Sequence, residues 1–222
     1  MDGRYDPTQA AGLSAAAKFR NAGQNCTAPT RFFVARRIYD AFASAFAVAA
    51  DAIPLGNGLD PNTRMGPLIH ARRCDAIAAL VDDAVSGGAR LVAGGARLRS
   101  ESNLFAPTVL ADVPARARAM TEEPFGPLAL IAPFDDLDDA IEQANATRYG
   151  LTGYGLTANP GVAERIASSL RVGMVGINSF ALAFPEAPFG GVGESGYSRE
   201  GGPDSLSTYR TTKFVHLAGF GL

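Results

Sequence analysis

Cys26 is the residue of this sequence whose surroundings best suit covalent chemistry. It directly follows residues 21–25 (Asn-Ala-Gly-Gln-Asn), a polar, glycine-containing stretch that breaks a preceding helix. Such a turn exposes a side chain at the end of a rigid element and leaves backbone N–H groups free to face it. A thiolate is a strong nucleophile, and nearby N–H groups can stabilise the oxyanion formed when it attacks a carbonyl. The alternative, which composition alone favours, is a buried and inert thiol.

The other candidate side chains fit structural roles better. Cys74 lies in an amphipathic helical pattern with no turn around it, which is typical of a buried thiol. His70 precedes that helix and His216 lies near the C-terminus, and neither spacing pairs naturally with Cys26. Glu122 and Glu123, taken alone, indicate a solvated acidic turn.

The apolar spacing predicts alternating helices and short apolar strands, which favours a mostly parallel sheet covered on both faces. Asp6 and Pro7 suit the N-cap and first turn of the first helix. Helices are predicted at 8–19, 37–52, 71–85, 137–145 and 162–170. Strands are predicted at 30–35, 91–93, 105–110, 128–132, 153–157, 174–177 and, at the C-terminus, 207–215.

The composition is that of an ordinary globular protein. The 222 residues are 47% hydrophobic and 19% charged, which is too apolar for disorder. A net charge of −2 offers no basic face for nucleic acid or an anionic membrane, and we expect neither partner. No apolar stretch reaches the roughly 20 residues of a membrane span, and the start lacks signal-peptide character. With two cysteines and no need for a disulfide, a cytoplasmic location is expected.

Three motifs of this sequence resemble motifs of one protein family, and they occur in the order and spacing that the family shows. Residues 19–31 (Phe-Arg-Asn-Ala-Gly-Gln-Asn-Cys-Thr-Ala-Pro-Thr-Arg) resemble the active-site cysteine motif of aldehyde dehydrogenases. Residues 122–127 (Glu-Glu-Pro-Phe-Gly-Pro) and 188–201, which begin Pro-Phe-Gly-Gly, resemble two further signatures of that family. Residues 57–69 are similar to a linker of the same fold, so the resemblance covers essentially the whole chain.

The resemblance implies an α/β fold class: an open, mostly parallel sheet with helices on both faces. Residues 1–205 would form the aldehyde dehydrogenase-like catalytic domain, and residues 206–222 a C-terminal strand and tail that joins an inter-subunit sheet. The N-terminal Rossmann-type cofactor domain of the family is expected to be absent, because no glycine-rich strand–turn–helix precedes Cys26. The partners implied are a second copy of the chain or a chain that carries the missing half.

The resemblance also implies a role for each motif residue. Cys26 would attack a small-molecule aldehyde and form a thiohemiacetal. The thiohemiacetal would transfer hydride to NAD or NADP, and water would hydrolyse the resulting thioester. Its own backbone N–H would contribute to the oxyanion hole. Glu123 would bind the nicotinamide ribose hydroxyls, since carboxylate oxygens accept well from a vicinal diol. Phe125 would pack against the nicotinamide end.

The resemblance indicates the substrate less specifically than it indicates the catalytic residue. Arg20 occupies the position of a carboxylate-binding arginine in succinate-semialdehyde dehydrogenases, although a helix-end arginine facing the helix dipole is the alternative. Those enzymes also use a serine where this sequence has Ala183 and Phe184. A mostly apolar pocket wall is expected instead, formed by Phe180, Leu182, Phe184 and Phe189. The family's general-base glutamate and oxyanion asparagine are not in this sequence, so the isolated chain is expected to be inactive or incomplete. The alternatives are a non-enzymatic, self-associating scaffold protein and, last, cofactor-free acyl chemistry at Cys26.

Overall fold

The computed structural model describes residues 1, 5–98, 102–219 and 221. The helices are α1 (Pro7–Phe19), α2 (Arg36–Asp51), α3 (Ala71–Ser86), α4 (Leu137–Asn145) and α5 (Pro160–Ser169). The strands are β1 (Arg31–Ala35), β2 (Arg90–Ala93), β3 (Thr108–Ala111), β4 (Leu128–Phe134), β5 (Tyr149–Gly150), β6 (Thr152–Gly155), β7 (Met174–Ile177) and β8 (Val192–Gly193). Short 3-10 helices lie at Arg20–Gly23, Arg118–Met120 and Pro203–Tyr209.

A four-stranded sheet with the order β1-β4-β3-β2 forms the centre of the fold. Strands β1, β4 and β3 are parallel, and β2 is antiparallel to β3. Nearly every residue of β3 and β4 is buried, as expected for strands covered on both faces. The predicted α/β fold class with a mostly parallel sheet is therefore confirmed.

Strand β1 shows directly that helices cover opposite faces of this sheet. Phe32 packs edge-on against Phe46 of α2, with ring centroids 5.1 Å apart. The preceding side chain, Arg31, points to the other face and donates to the carbonyls of Gln143 and Ala144 at the end of α4. Each buried ring of this kind stabilises the fold by about 1.5–3 kcal/mol.

Helix α1 packs along α2 and ends beside Cys26. Its N-terminus is fixed as predicted, because Asp6 accepts a hydrogen bond from Gln9 N at 2.7 Å. At its other end Phe19 packs edge-on against Phe46, with centroids 6.0 Å apart. The packing of α1 against α2 therefore fixes the position of the turn that carries Cys26.

Two smaller strand pairs lie outside the main sheet. Strands β6 and β7 are parallel to each other, and β5 pairs with β8 in antiparallel fashion. None of the described helices is long and apolar enough to cross a membrane.

The predicted terminal strand at 207–215 is not formed in this chain. The 3-10 helix Pro203–Tyr209 takes its place, and residues 210–219 have no regular secondary structure. A strand needs backbone partners, and no described strand lies beside this segment. Phe214 and Val215 are consequently 87% and 61% exposed.

Candidate active site

A run of left-handed residues shapes the turn that carries Cys26, which we call the cysteine turn (residues 21–28). Asn21, Ala22 and Gly23 have φ values of 52°, 54° and 68°. A Cβ on Gly23 would lie 2.1 Å from the carbonyl oxygen of Gly126. Only glycine permits this approach, which places the cysteine turn directly against the acidic loop (residues 122–127).

The thiol of Cys26 is exposed at the tip of the cysteine turn. The Asn25 side-chain oxygen accepts from Thr27 N at 3.1 Å and from Thr27 Oγ1 at 3.0 Å, and it lies 3.8 Å from the Cys26 sulfur. No described residue accepts a hydrogen bond from the Cys26 backbone N–H. That N–H is therefore available to an oxyanion formed at the thiol.

Gln24 fastens the cysteine turn to the segment that precedes α3. Its side-chain oxygen accepts from Ile69 N at 2.9 Å, and its amide nitrogen donates to Asn21 O at 3.3 Å. The sequence motif contains Gln24, but only the structure assigns it this positioning role.

Tyr154 of β6 holds the other side of the cysteine turn. Its hydroxyl donates to Thr27 O at 2.8 Å, and its ring packs against Phe180 with centroids 4.8 Å apart. Burial raises the pKa of the Tyr154 hydroxyl, so it remains a donor at neutral pH. Sequence reasoning missed this residue, since no motif marks it.

A cavity of about 450 Å³ brings all three predicted motifs together. Its lining includes Cys26 from the cysteine turn, Glu123 and Phe125 from the acidic loop, and Glu194 and Ser195 from the C-terminal signature. Phe125 adopts a positive φ of 46°. The motifs are thus neighbours in space as well as in the sequence pattern.

The two neighbouring glutamates of the acidic loop have different surroundings. Glu122 pairs with Arg118 at 2.8 Å, and this guanidinium lowers the pKa of the Glu122 carboxyl. Glu123 forms no hydrogen bond or ion pair with any described residue, although it is exposed and lines the cavity. Its carboxylate oxygens are therefore unpaired among the described residues, and the exposed ring of Phe125 lines the same cavity.

A buried lysine lies behind the cysteine turn. Lys18 is completely buried, and its ammonium donates to Thr30 Oγ1 at 3.2 Å. Burial lowers the pKa of Lys18 to about 7, and the negative charge of Glu123 opposes this shift. One turn earlier on α1, the hydroxyl of Ser14 is buried without a partner among the described residues. Sequence reasoning missed both, although they lie at buried spacing on the Ala-rich helix.

The two predicted substrate residues lie outside this cavity lining. Arg20 is exposed at the end of α1. Phe189 is half-buried and exchanges backbone hydrogen bonds with Glu200 at 2.7 and 2.8 Å. Of the aromatic residues predicted as a pocket wall, Phe180 does line the cavity.

The histidines and possible metal ligands add nothing to the site. His70 caps α3, because its Nδ1 accepts from Arg73 N at 3.1 Å, and His216 lies in the exposed tail. Within the described ranges no three His, Cys, Asp or Glu side chains are grouped to hold a metal ion.

Comparisons with known proteins agree with this geometry. 4-(Hydroxymethyl)benzenesulfonate dehydrogenase TsaD1 of Comamonas testosteroni is 46% identical over 215 residues, which are 96% of this chain and 44% of that protein. The mitochondrial succinate-semialdehyde dehydrogenase of Mus musculus is 42% identical over 212 residues, covering 95% of this chain and 40% of that one. The crystal structure of succinate-semialdehyde dehydrogenase from Burkholderia pseudomallei superposes with a TM-score of 0.91 at 37% identity, covering 94% of this chain and 43% of that chain.

The chain therefore spans less than half the length of these relatives. The model of the aldehyde dehydrogenase family matches residues 2–215, which is nearly the full described chain. This match extends over all three motifs that line the cavity. The chain belongs to the aldehyde dehydrogenase family.

Proposed function

We propose that this chain is the thiol-bearing part of an NAD(P)⁺-dependent aldehyde dehydrogenase whose aldehyde substrate carries an anionic group. The observation that supports this most is the meeting of Cys26, Glu123 and Phe125 at one cavity. The exposed thiol is the nucleophile, and the other two residues contact the dinucleotide. A reducing cytoplasm suits a reaction that requires a free thiol.

The chemistry begins when the Cys26 thiolate attacks the aldehyde carbon and forms a carbon–sulfur bond. The carbonyl oxygen becomes an oxyanion, which the free Cys26 N–H stabilises together with a second donor from outside this chain. The dinucleotide, when bound, supplies the acceptor for the hydride that leaves this carbon. A thioester then remains on Cys26, and water hydrolyses it to the acid and the free thiol.

Two residues of the acidic loop would hold the dinucleotide. The unpaired carboxylate of Glu123 accepts from the hydroxyls of the nicotinamide ribose. The exposed ring of Phe125 packs against the nicotinamide end and shields it from water. These contacts orient the cofactor but do not bind its remaining length, so dinucleotide binding by the isolated chain is expected to be weak.

The anionic substrate class follows from the relatives and from Arg20. The names of the two relatives above specify a sulfonate and the carboxylate of succinate semialdehyde, respectively. Arg20 is exposed six residues before Cys26 and forms no ion pair with any described residue. A planar guanidinium binds either anion in bidentate fashion. Phe180 and Phe189 would supply apolar contacts along the substrate.

A reconstitution experiment tests the proposed function. The part of TsaD1 that this chain does not match is expressed as a separate polypeptide and mixed with this chain, and NAD(P)H formation is followed with succinate semialdehyde. We expect activity in the mixture, its loss in Cys26→Ser and its retention in Cys74→Ser. A mixture that forms a complex but reduces no dinucleotide, or a Cys26→Ser variant of full activity, would overturn the proposal.

A second candidate function is a non-enzymatic scaffold that self-associates through its C-terminal tail. Large apolar side chains are exposed along this segment: Leu206, Tyr209, Phe214, Val215 and Leu217. Such a surface favours association with a second copy, including pairing of the tails as strands. Light scattering of the chain and of a form ending at Gly202 tests this candidate. A monomer in both forms would rule it out.

A further inference from the structure

Helix α3 begins beside the two loops that carry the proposed reacting groups. The segment before this helix and its first two turns (residues 67–77), which we call the bracket, bond to the cysteine turn and to the acidic loop. Leu68 of the bracket is 2% exposed, and its N–H donates to Asn103 O at 2.9 Å. The bracket is therefore anchored in the core independently of the two loops that it contacts.

The cysteine turn is attached to the N-terminal end of the bracket by one side chain. Gln24 accepts from Ile69 N at 2.9 Å and donates to Pro67 O at 3.5 Å. Gln24 lies two residues before Cys26 in the chain. The position of the thiol relative to α3 therefore depends on this amide.

The acidic loop is attached to the helical part of the bracket by two side chains one turn apart. The guanidinium of Arg73 donates from Nη1 to Pro124 O at 3.0 Å. Ile77, four residues later on the same face of α3, lies so close to Gly126 that a Cβ on this glycine would be 2.5 Å from Ile77 Cδ1. Helix α3 thus holds the residues on both sides of Phe125.

The backbone of Phe125 requires such support. Its φ of 46° lies in the left-handed region, which a bulky residue rarely adopts and keeps only where the surroundings enforce it. Glu123 also depends on the backbone beside it, because its side chain forms no hydrogen bond or ion pair with a described residue. The bond from Arg73 to Pro124 O acts on the residue that lies between these two side chains.

We propose that the bracket sets the spacing between the thiol and the dinucleotide, and that Arg73 is the positioning residue for Glu123 and Phe125. This inference rests on the proposed function, in which those two residues contact the dinucleotide. Arg73 acts through the Pro124 carbonyl, whereas Gln24 acts on the thiol side. Hydride transfer requires the reacting atoms to be held in close alignment, so this spacing bears directly on the rate.

Backbone order parameters from amide nitrogen relaxation of the isolated chain test the bracket without substrate or dinucleotide. In Arg73→Met we expect the values at Phe125 and Gly126 to fall from about 0.85 to below about 0.6. The values at Asn25 and Cys26 should stay as in the parent, because Gln24 keeps its bonds to the bracket.

Three further variants check the specificity of this effect. Gln24→Ala should give the reverse pattern, with a looser cysteine turn and an unchanged acidic loop. Arg72→Met is the matched control, because Arg72 is exposed on the same turn and forms no hydrogen bond with a described residue. It should change neither loop. Arg73→Lys keeps a donor and should retain most of the order of the acidic loop.

Two results would overturn the proposal. An unchanged acidic loop in Arg73→Met would show that the bond to Pro124 O does not hold it. Equal loosening of both loops would show that Arg73 supports the fold as a whole. If Arg73→Met does not fold, Ile77→Val removes only the Cδ1 atom that faces Gly126, and an unchanged acidic loop in that variant would also overturn the bracket.

Steady-state kinetics of the reconstituted mixture give a second readout. Arg73→Met should raise the KM for NAD(P)⁺ about fivefold or more, while the KM for succinate semialdehyde and the alkylation rate of Cys26 by iodoacetamide stay the same. Arg73→Lys should restore most of the loss. An unchanged KM for NAD(P)⁺, or an equal rise in both KM values, would overturn the positioning role. An inactive parent mixture would overturn the proposed function alone, since the order parameters still decide the bracket.

Discussion

The cysteine turn and the C-terminal tail are both irregular in backbone, yet they are held in opposite ways. Residues 21–28 are fixed by Tyr154 of β6, which donates to Thr27 O, and by the turn's own Gln24, whose side-chain oxygen accepts from Ile69 N before α3. Residues 210–219 are exposed and make few contacts with the rest of the chain. Irregular backbone is therefore ordered here where distant elements bind it. The chain therefore positions its thiol by its own contacts, whereas its tail is exposed to solvent.

The largest effect is expected from Gly23→Ala in the cysteine turn. The added Cβ would meet the Gly126 carbonyl at 2.1 Å, and φ is +68°. We expect a loss of about 3–5 kcal/mol in the free energy of unfolding, measured with urea. Gly12→Ala is the control, because it lies on the exposed face of α1 with no atom within 4 Å and should stabilise by about 0.5–1 kcal/mol. A Gly23→Ala protein as stable as the parent would show that the close approach is not required.

Lys18→Met should stabilise the protein. The pKa of Lys18 is about 7 in the folded chain and is ordinarily 10.5, so the unfolded chain binds more protons between these pH values. Stability of the parent therefore rises with pH in this window and is lowest below it. At pH 7 we expect the variant to gain on the order of 2–4 kcal/mol and to lose this pH dependence, as judged by urea unfolding from pH 6 to 10. Lys213→Met in the exposed tail should change neither quantity, and an unchanged pH profile in Lys18→Met would contradict the buried charge.

Tyr154→Phe removes one hydrogen bond to the cysteine turn and keeps the ring. We expect a loss of about 1 kcal/mol in stability and faster amide exchange at Ala28, whose N–H bonds to Asn25 O. Tyr197→Phe, at a side chain that is 99% exposed, is the matched control. If exchange at Ala28 is the same in both variants, the tether does not order the turn.

The smallest effect should come from deleting residues 210–222. Because the described side chains from 210 to 219 are exposed, the free energy of unfolding in urea at low protein concentration should change by less than about 0.5 kcal/mol. A larger loss that grows with protein concentration would show that the tail is buried in an oligomer. A large loss at every concentration would mean that the tail stabilises the single chain.

Local signals predicted the elements well where the chain itself supplies caps and partners. Helix α4 and strand β7 have the predicted bounds, and Asp136 caps α4 through two backbone N–H groups. Cys26, Glu123 and Phe125, which the motifs single out, line one cavity, and their roles there stay predictions.

The features that sequence reasoning missed depend on contacts between distant segments. Tyr154 bonds to Thr27 across 127 residues, and no local pattern marks such a pair. Nothing in the sequence distinguishes Lys18 from an exposed helical lysine, but its surroundings bury it completely. The terminal strand was predicted from alternation and from the family resemblance, and neither says whether this chain itself supplies a neighbouring strand.

The contact between Gly23 and Gly126 also constrains the order of folding. The left-handed run at 21–23 gains its stabilising neighbour only when the acidic loop, far along the sequence, has been synthesised and placed. Bringing Gly23 and Gly126 together closes a loop of about 100 residues, which costs conformational entropy before the contact can stabilise the turn. The thiol therefore gains these surroundings only after residues up to Gly126 have been synthesised, and a shorter nascent chain lacks the contact that holds the cysteine turn.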